Sequence, residues 1–246
     1  MRCETLYDDG TRSWRFFGRA EDQLAGVIDT NEYLVSQRER SALLDPGGIE
    51  VFPPIITAIS QFVDMDQVEA LFGSHQDPDV LSSLALWVRL CPRARVYTPG
   101  IWESFMRHYS ADAHFVSIPD EGGTMPLGDS SDLTFVPAHY LHSSANFSVY
   151  DPQAKILFTG DIGAALLPDD YADVFVTDFG SHVRLMEGFH RRWMPSDAAR
   201  DRWVERVRNL DVEMLCPQHG AVFAGEDVAR FLEWFEQLEL AGALGA

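Results

Sequence analysis

Short apolar runs bounded by turn residues alternate along this chain with stretches whose apolar positions recur at helical spacing. Residues 26–37 (Gly-Val-Ile-Asp-Thr-Asn-Glu-Tyr-Leu-Val-Ser-Gln) and 42–48 (Ala-Leu-Leu-Asp-Pro-Gly-Gly) predict two strands, a hairpin-like opening that ends in a Pro-Gly-Gly turn. Residues 52–62 carry apolar side chains at near-helical spacing around Pro53-Pro54, whose rigid rings suit a helix start. Residues 68–72 (Val-Glu-Ala-Leu-Phe) predict a short strand that runs into Gly73-Ser-His-Gln-Asp-Pro-Asp79. A helix over 81–90, a strand over 95–98, a helix over 101–108 and a strand over 113–117 continue as βαβα units. From Leu133 the pattern becomes a meander, with strands at 133–137, 147–150 and 155–158 and polar loops between them. The last of these leads into Thr159-Gly160-Asp161. A helix from about 196 to 210, a strand at 212–215, a loop at 217–220 and a helix over 226–238 complete the chain.

Strands and helices mixed at both ends, with a meander between, suit two sheets packed face to face with helices outside. That is a four-layer αββα sandwich of the α/β class, although periodicity alone leaves other α/β folds open. No repeat, linker or low-complexity segment interrupts the pattern, so a single domain over 1–246 is expected, and an apolar share of 46% is enough to fill its core. No apolar run is long enough to span a bilayer, and the opening Met-Arg-Cys-Glu-Thr-Leu-Tyr-Asp-Asp is not a secretory signal; a cytoplasmic protein is the expectation.

Charge narrows the partners. A formal net charge of -19 repels phosphate backbones and anionic lipid surfaces, so neither nucleic acid nor membrane is expected to bind. Cys3, Cys91 and Cys216 are scattered with no Cys-x-x-Cys pair, which excludes a thiolate zinc site, a rubredoxin-like iron centre and an iron–sulfur cluster. Any metal must be held by imidazole and carboxylate.

Candidates for that role lie at strand ends. His75, Asp77 and Asp79 alternate in a segment that, if extended, points all three to one side, where unneutralised carboxylates would repel one another. Two divalent ions would remove that repulsion; the competing reading is an Asp-rich turn that caps the next helix. His142 in Leu-His-Ser-Ser, Asp161 in Phe-Thr-Gly-Asp and His219 in Pro-Gln-His-Gly follow later strands in short loops that contain Gly or Ser.

With these motifs in hand, the chain resembles proteins of the metallo-β-lactamase fold from about Val27 onward. Zinc hydrolases of that fold usually show His-x-His-x-Asp-His, whereas the flavodiiron and oxygen-binding diiron branch shows His-x-Glu-x-Asp. Asp77 stands at the carboxylate position, so the likeness is closer to the diiron branch. The resemblance implies that His75, Asp77 and His142 bind one metal, Asp79 and His219 the other, and that Asp161 bridges them. It implies two iron ions, with zinc or manganese as alternatives. Two departures stand out: Val80 occupies a position that is often His, and Asp77 is one methylene shorter than the family Glu.

Other residues carry weaker expectations. His139 is a candidate hydrogen-bond donor to a ligand carboxylate or to bound oxygen. Tyr7, Tyr33 and Tyr140 could bring a phenol near the metals, with core packing as the alternative. His182 and His190 flank 181–194, which in the related proteins leads into a helix at the site entrance; surface or lid positions are equally expected. Cys216 reads as a buried small apolar residue, and Asp178 as a hydrogen-bonding partner of the site loops.

The functional expectation is a non-haem diiron protein that binds or reduces O2, with NO as a second diatomic ligand, acting as an oxygen sensor or as an oxidoreductase. Nothing in the sequence resembles a flavin site, so electrons would come from a separate donor protein. Related diiron proteins are often head-to-tail dimers that bring a partner's flavin near the metals; a homodimer here would lack that reason. The alternative is a dinuclear hydrolase in which the metals activate water against a phosphoester, thioester or lactam.

Overall fold

The computed structural model describes residues 1–18, 26–128 and 131–240. Its first strands, β1 (Arg2–Asp8) and β2 (Arg12–Gly18), precede the point at which the sequence pattern opens. β1 pairs with β2 and β2 with β3 (Asn31–Gln37), which is followed by β4 (Arg40–Leu44), β5 (Val68–Phe72), β6 (Arg95–Pro99) and β7 (His114–Ile118). These seven strands lie side by side in sequence order, antiparallel from β1 to β4 and parallel from β4 to β7. The expected hairpin is the antiparallel β3–β4 pair, with Tyr33 opposite Leu44. Its first strand begins later than the sequence suggested, because residues 27–30 form a loop instead.

A second sheet comprises β8 (Gly123–Met125), β9 (Leu133–Pro137), β10 (Phe147–Asp151), β11 (Ile156–Gly160), β12 (Met214–Pro217) and β13 (Phe223–Ala224). Its order is β13-β12-β11-β10-β9-β8, with β11–β12 as the parallel pair. Residues 174–178 form no strand, and Phe175 makes a lone bridge to Val222.

Side-chain alternation divides the core into three. Tyr33 and Val35 of β3, Ala42 and Leu44 of β4 and Phe72 of β5 point between the sheets, where they meet Phe135, Phe147, Val149, Ile156 and Phe158. Leu34, Leu43 and Leu71 point the other way, under α1 (Phe52–Ile59), α2 (Pro78–Leu81), α3 (Leu84–Leu90) and α4 (Glu103–Met106). Leu157 and Leu215 point outward from the second sheet, under α5 (Phe179–Trp193), α6 (Asp197–Arg208) and α7 (Glu226–Gln237). Each sheet is therefore apolar on both faces, the condition that forces helices onto its outer side. The result is the four-layer αββα sandwich expected from the sequence.

The two ends of the sandwich differ. At one end Arg12, fully buried, faces Asp151 at 3.5 Å, and the Trp14 indole donates to the same carboxylate at 2.7 Å. Asp151 stands opposite Ile156, where β11 begins. β11 then runs to the other end, where it delivers Asp161, and the parallel strands β5 and β12 finish there too.

Candidate metal centre

β5 ends at Phe72, and the chain turns tightly: a Cβ on Gly73 would stand 2.0 Å from Leu81 Cδ1. The segment that follows is not extended throughout, as the sequence reading supposed. Pro78 starts α2, so Asp77 occupies the cap position and Asp79 the first turn. Asp77 makes no side-chain cap hydrogen bond, so the capping alternative fails and its carboxylate is free to face the imidazoles. The helical turn also separates the two acids, sending Asp77 toward His75 and His142 and Asp79 toward His219.

Distances bear out that division. His75 Nε2 and His142 Nε2 lie 3.5 and 3.6 Å from Asp77 Oδ2. The same two nitrogens lie 3.6 and 2.6 Å from Asp161 Oδ2. The other oxygen of Asp161, Oδ1, lies 3.3 Å from His219 Nε2, which is 3.3 Å from Asp79 Oδ2. Donor atoms of His75, Asp77 and His142 all fall within 4.8 Å of one another, spacing that can hold a metal ion. All six residues singled out in the sequence thus converge, in two groups joined through one carboxylate.

The imidazoles are oriented from behind. His219 Nδ1 sits 2.6 Å from the Asp29 carbonyl, which can only accept, so Nδ1 carries a proton and Nε2 is the nitrogen that faces the carboxylates and would face a metal. Ser74 donates to Asp45 from its backbone (2.8 Å) and its hydroxyl (2.6 Å), leaving its oxygen to accept from His75 Nδ1 at 2.9 Å. With its amide turned to donate, Gln218 reaches Asp161 Oδ1 at 3.2 Å and Asp45 Oδ2 at 3.3 Å. Just past Asp161, Gly163 N–H donates to His190 Nε2 (2.9 Å), whose other nitrogen donates to the Met186 carbonyl. Gly160 and Gly220 flank the ligand candidates at φ +57 and +96, where a side chain would be strained; a Cβ at Gly220 would stand 2.9 Å from the Ala165 nitrogen. Asp45, Ser74 and Gln218 were missed in the sequence because each reads as an ordinary turn or strand-end residue. The one hint was an acid closing the apolar run Ala42-Leu-Leu.

Acids and imidazoles of the cluster hold one another in their charged forms. Burial alone would push the Asp161 carboxyl up, yet His75, His142 and His219 hold it well below the usual carboxylate range. Burial pulls His219 down, but Asp161 and Asp79 keep its imidazole protonated far above the ordinary value. His75, likewise disfavoured by burial, is raised to about 9 by Asp161 and Asp77. A metal ion bound at these rings would displace such protons from the ligand nitrogens.

The remaining expectations divide. His139 does not turn to a ligand carboxylate: Nε2 lies 2.8 Å from the Asp120 carbonyl and Nδ1 accepts from Asn146 N–H at 3.3 Å. Val80 is fully buried in the outer core, beneath the site. Tyr33 donates to the Pro217 carbonyl (2.8 Å), Tyr7 to Asp9, and Tyr140 is exposed. His182 and His190 are buried against the second sheet rather than placed on the surface, and burial lowers both to about 4. Cys216 lies in the inter-sheet core, where burial pushes its thiol up. Asp178 caps α5, and that helix brings the rings of Trp193 and Phe189 to 5.4 and 6.3 Å from the His142 ring.

Residues 28–220 match the family model for the ODP family beta lactamase. The chain belongs to the ODP family. Among solved structures it is similar to the apo state of the chemotaxis sensor ODP from T. denticola: 40% identity, TM-score 0.88, covering 97% of this chain and 95% of that one. A second ODP structure, the peroxy diiron species of the chemotaxis sensor, is 39% identical at a TM-score of 0.87, covering 98% and 96%. The rubredoxin-oxygen oxidoreductase of Megalodesulfovibrio gigas is 23% identical over 84% of this chain and 53% of that protein. The chain spans about half the length of such curated relatives. Among the described residues no helix is long and apolar enough to cross a membrane.

Proposed function

We propose that this chain is a diiron protein that binds O2 and serves as an oxygen sensor, with NO as a second diatomic ligand. The observation that carries the reading is Asp161, whose two oxygens face separate imidazole–carboxylate groups at 2.6–3.6 Å. In this assignment His75, Asp77 and His142 hold one ion, Asp79 and His219 the other, and Asp161 bridges both. Three carboxylates with three imidazoles suit iron or manganese better than zinc. Paired ferrous ions, when bound, supply the electrons that a diatomic ligand takes up. The protein's own residues do the positioning: Ser74 and the Asp29 carbonyl fix the tautomers of His75 and His219, and Gln218 steadies the bridging carboxylate. Phe189 and Trp193, stacked at 6.0 Å, form an apolar wall beside His142 that suits a small uncharged ligand.

A sensing role is supported by the likeness to chemotaxis sensors over nearly the whole chain, whereas the reductases match at much lower identity. Iron-loaded protein, reduced anaerobically and then exposed to O2, should develop near-ultraviolet charge-transfer absorption, and Asp161→Ala should abolish it. Zinc as the native metal, with phosphodiesterase turnover, would instead establish a hydrolase.

A further inference from the structure

The loop that carries His142 and the loop that carries His75 and Asp77 are joined by a chain of hydrogen bonds outside the ligand cluster. The Trp102 indole N–H is shared between Ser143 Oγ at 3.0 Å and the Ala145 carbonyl at 2.8 Å. Ser143 Oγ lies 2.7 Å from Gln76 Oε1 and 3.0 Å from the same Ala145 carbonyl. Gln76 Nε2 donates to Asp77 Oδ1 at 2.9 Å, and the Tyr109 hydroxyl donates to the Gln76 carbonyl at 3.2 Å.

Donor chemistry fixes the direction of this chain. An indole nitrogen can only donate, so Ser143 accepts from it and passes its own proton to its shorter contact, Gln76 Oε1. That oxygen is then occupied, which turns the amide nitrogen toward Asp77, where a carboxylate can only accept. The outer oxygen of Asp77 is thereby held, and its inner oxygen faces the nitrogens of His75 and His142. An aspartate without this support could rotate about its last torsion, and being one methylene shorter than a glutamate it has less reach to recover the geometry.

We infer that Gln76 is a positioning residue for metal binding, which locks Asp77 as a one-oxygen ligand and ties its loop to that of His142 through Ser143 and Trp102. The inference rests on the assignment of Asp77, His75 and His142 to one ion. It acts on that ion alone, because Asp79 and His219 have no part in the chain.

Stepwise titration of metal-free protein with Co(II), followed by its visible absorption, tests it. Wild type should take up two equivalents; failure to do so sinks the two-metal assignment itself, separately from the role of Gln76. Gln76→Leu, similar in size but with no donor, should weaken one equivalent about tenfold and leave the other unchanged. Ser143→Ala, which cuts the chain one bond earlier and removes only a hydroxyl, should shift the same equivalent by less. The melting temperature of the metal-free variants should match wild type. If wild type binds two equivalents while the variants bind both as tightly, or lose both equally, the inference is overturned.

Discussion

Asp45 shows how much a single side chain decides. It is almost wholly buried at the end of β4, and it accepts from Ser74 N–H, Ser74 Oγ and the Gln218 amide, the groups that orient His75 and Asp161. Burial pushes its carboxyl up to about 7, opposed by His75 and by the Ser74 hydrogen bonds. Asp45→Ala would leave a buried backbone N–H without its acceptor, so it should lower stability by about 2 kcal/mol in urea unfolding. Because the Ser74 hydroxyl would no longer be directed away from His75, Co(II) affinity should also fall about tenfold. A variant that lost stability but kept full affinity would show that Asp45 only packs. In the sequence Asp45 reads as part of a Pro-Gly-Gly turn; its partners are 29 residues away or more, and no local pattern reports them.

Helix α5 shows the same at the scale of an element. Asp178 caps it, accepting from Ser181 N–H at 2.5 Å, and Arg191 and Arg192 lie in its last turn, where they complement the helix dipole. Its apolar face buries Met186 and His190 against the second sheet, and its end carries Phe189 and Trp193 to His142. Asp178→Ala should cost about 1 kcal/mol, read from the urea midpoint. If α5 is held by packing rather than by its cap, the ring contacts at His142 survive and Co(II) binding is unchanged. A larger loss, together with weakened binding, would mean that the cap sets the position of the aromatic wall. The sequence reading placed 181–194 near the site entrance without seeing that the stretch is itself the helix. Histidines on its buried face disguised the amphipathic pattern, because His is not counted as apolar.

Across the whole molecule, stability should depend on pH through buried groups that are not themselves ligand candidates. Glu32 is fully buried; Oε1 accepts from Thr30 Oγ1 at 2.6 Å, while Oε2 has no hydrogen-bond partner among the described residues. Burial raises its carboxyl from 4.5 to about 8. A raised acid favours folding only while protonated: its contribution is complete below the ordinary value and is lost as pH rises through about 8. Asp45 acts in the same sense, through about 7. Below the ordinary histidine value the buried imidazoles of His182 and His190, lowered to about 4, oppose this loss, so the melting temperature of the metal-free protein should fall chiefly between about pH 6.5 and pH 8. Glu32→Gln, neutral at every pH, should make that slope shallower and melt above wild type at alkaline pH. Equal slopes for the two proteins would rule Glu32 out as the source.

Most of the elements from β3 onward, the four-layer arrangement and the six converging residues were readable from the chain, whereas β8, α5 and β13 were not. Strand ends, short loops and alternation are local properties, and a metal motif depends on residue type at fixed spacing. β1 and β2 were not readable: β1 is mostly exposed and β2 is buried on both faces, so neither shows the period-two pattern that marks a half-buried strand. Which oxygen of Asp161 meets which imidazole, the turn of α2 that parts Asp77 from Asp79, and the supports from Asp45, Gln76 and Gln218 came only from the tertiary structure. These depend on hydrogen bonds between segments far apart in sequence, whose direction and distance are set when the two sheets close on each other.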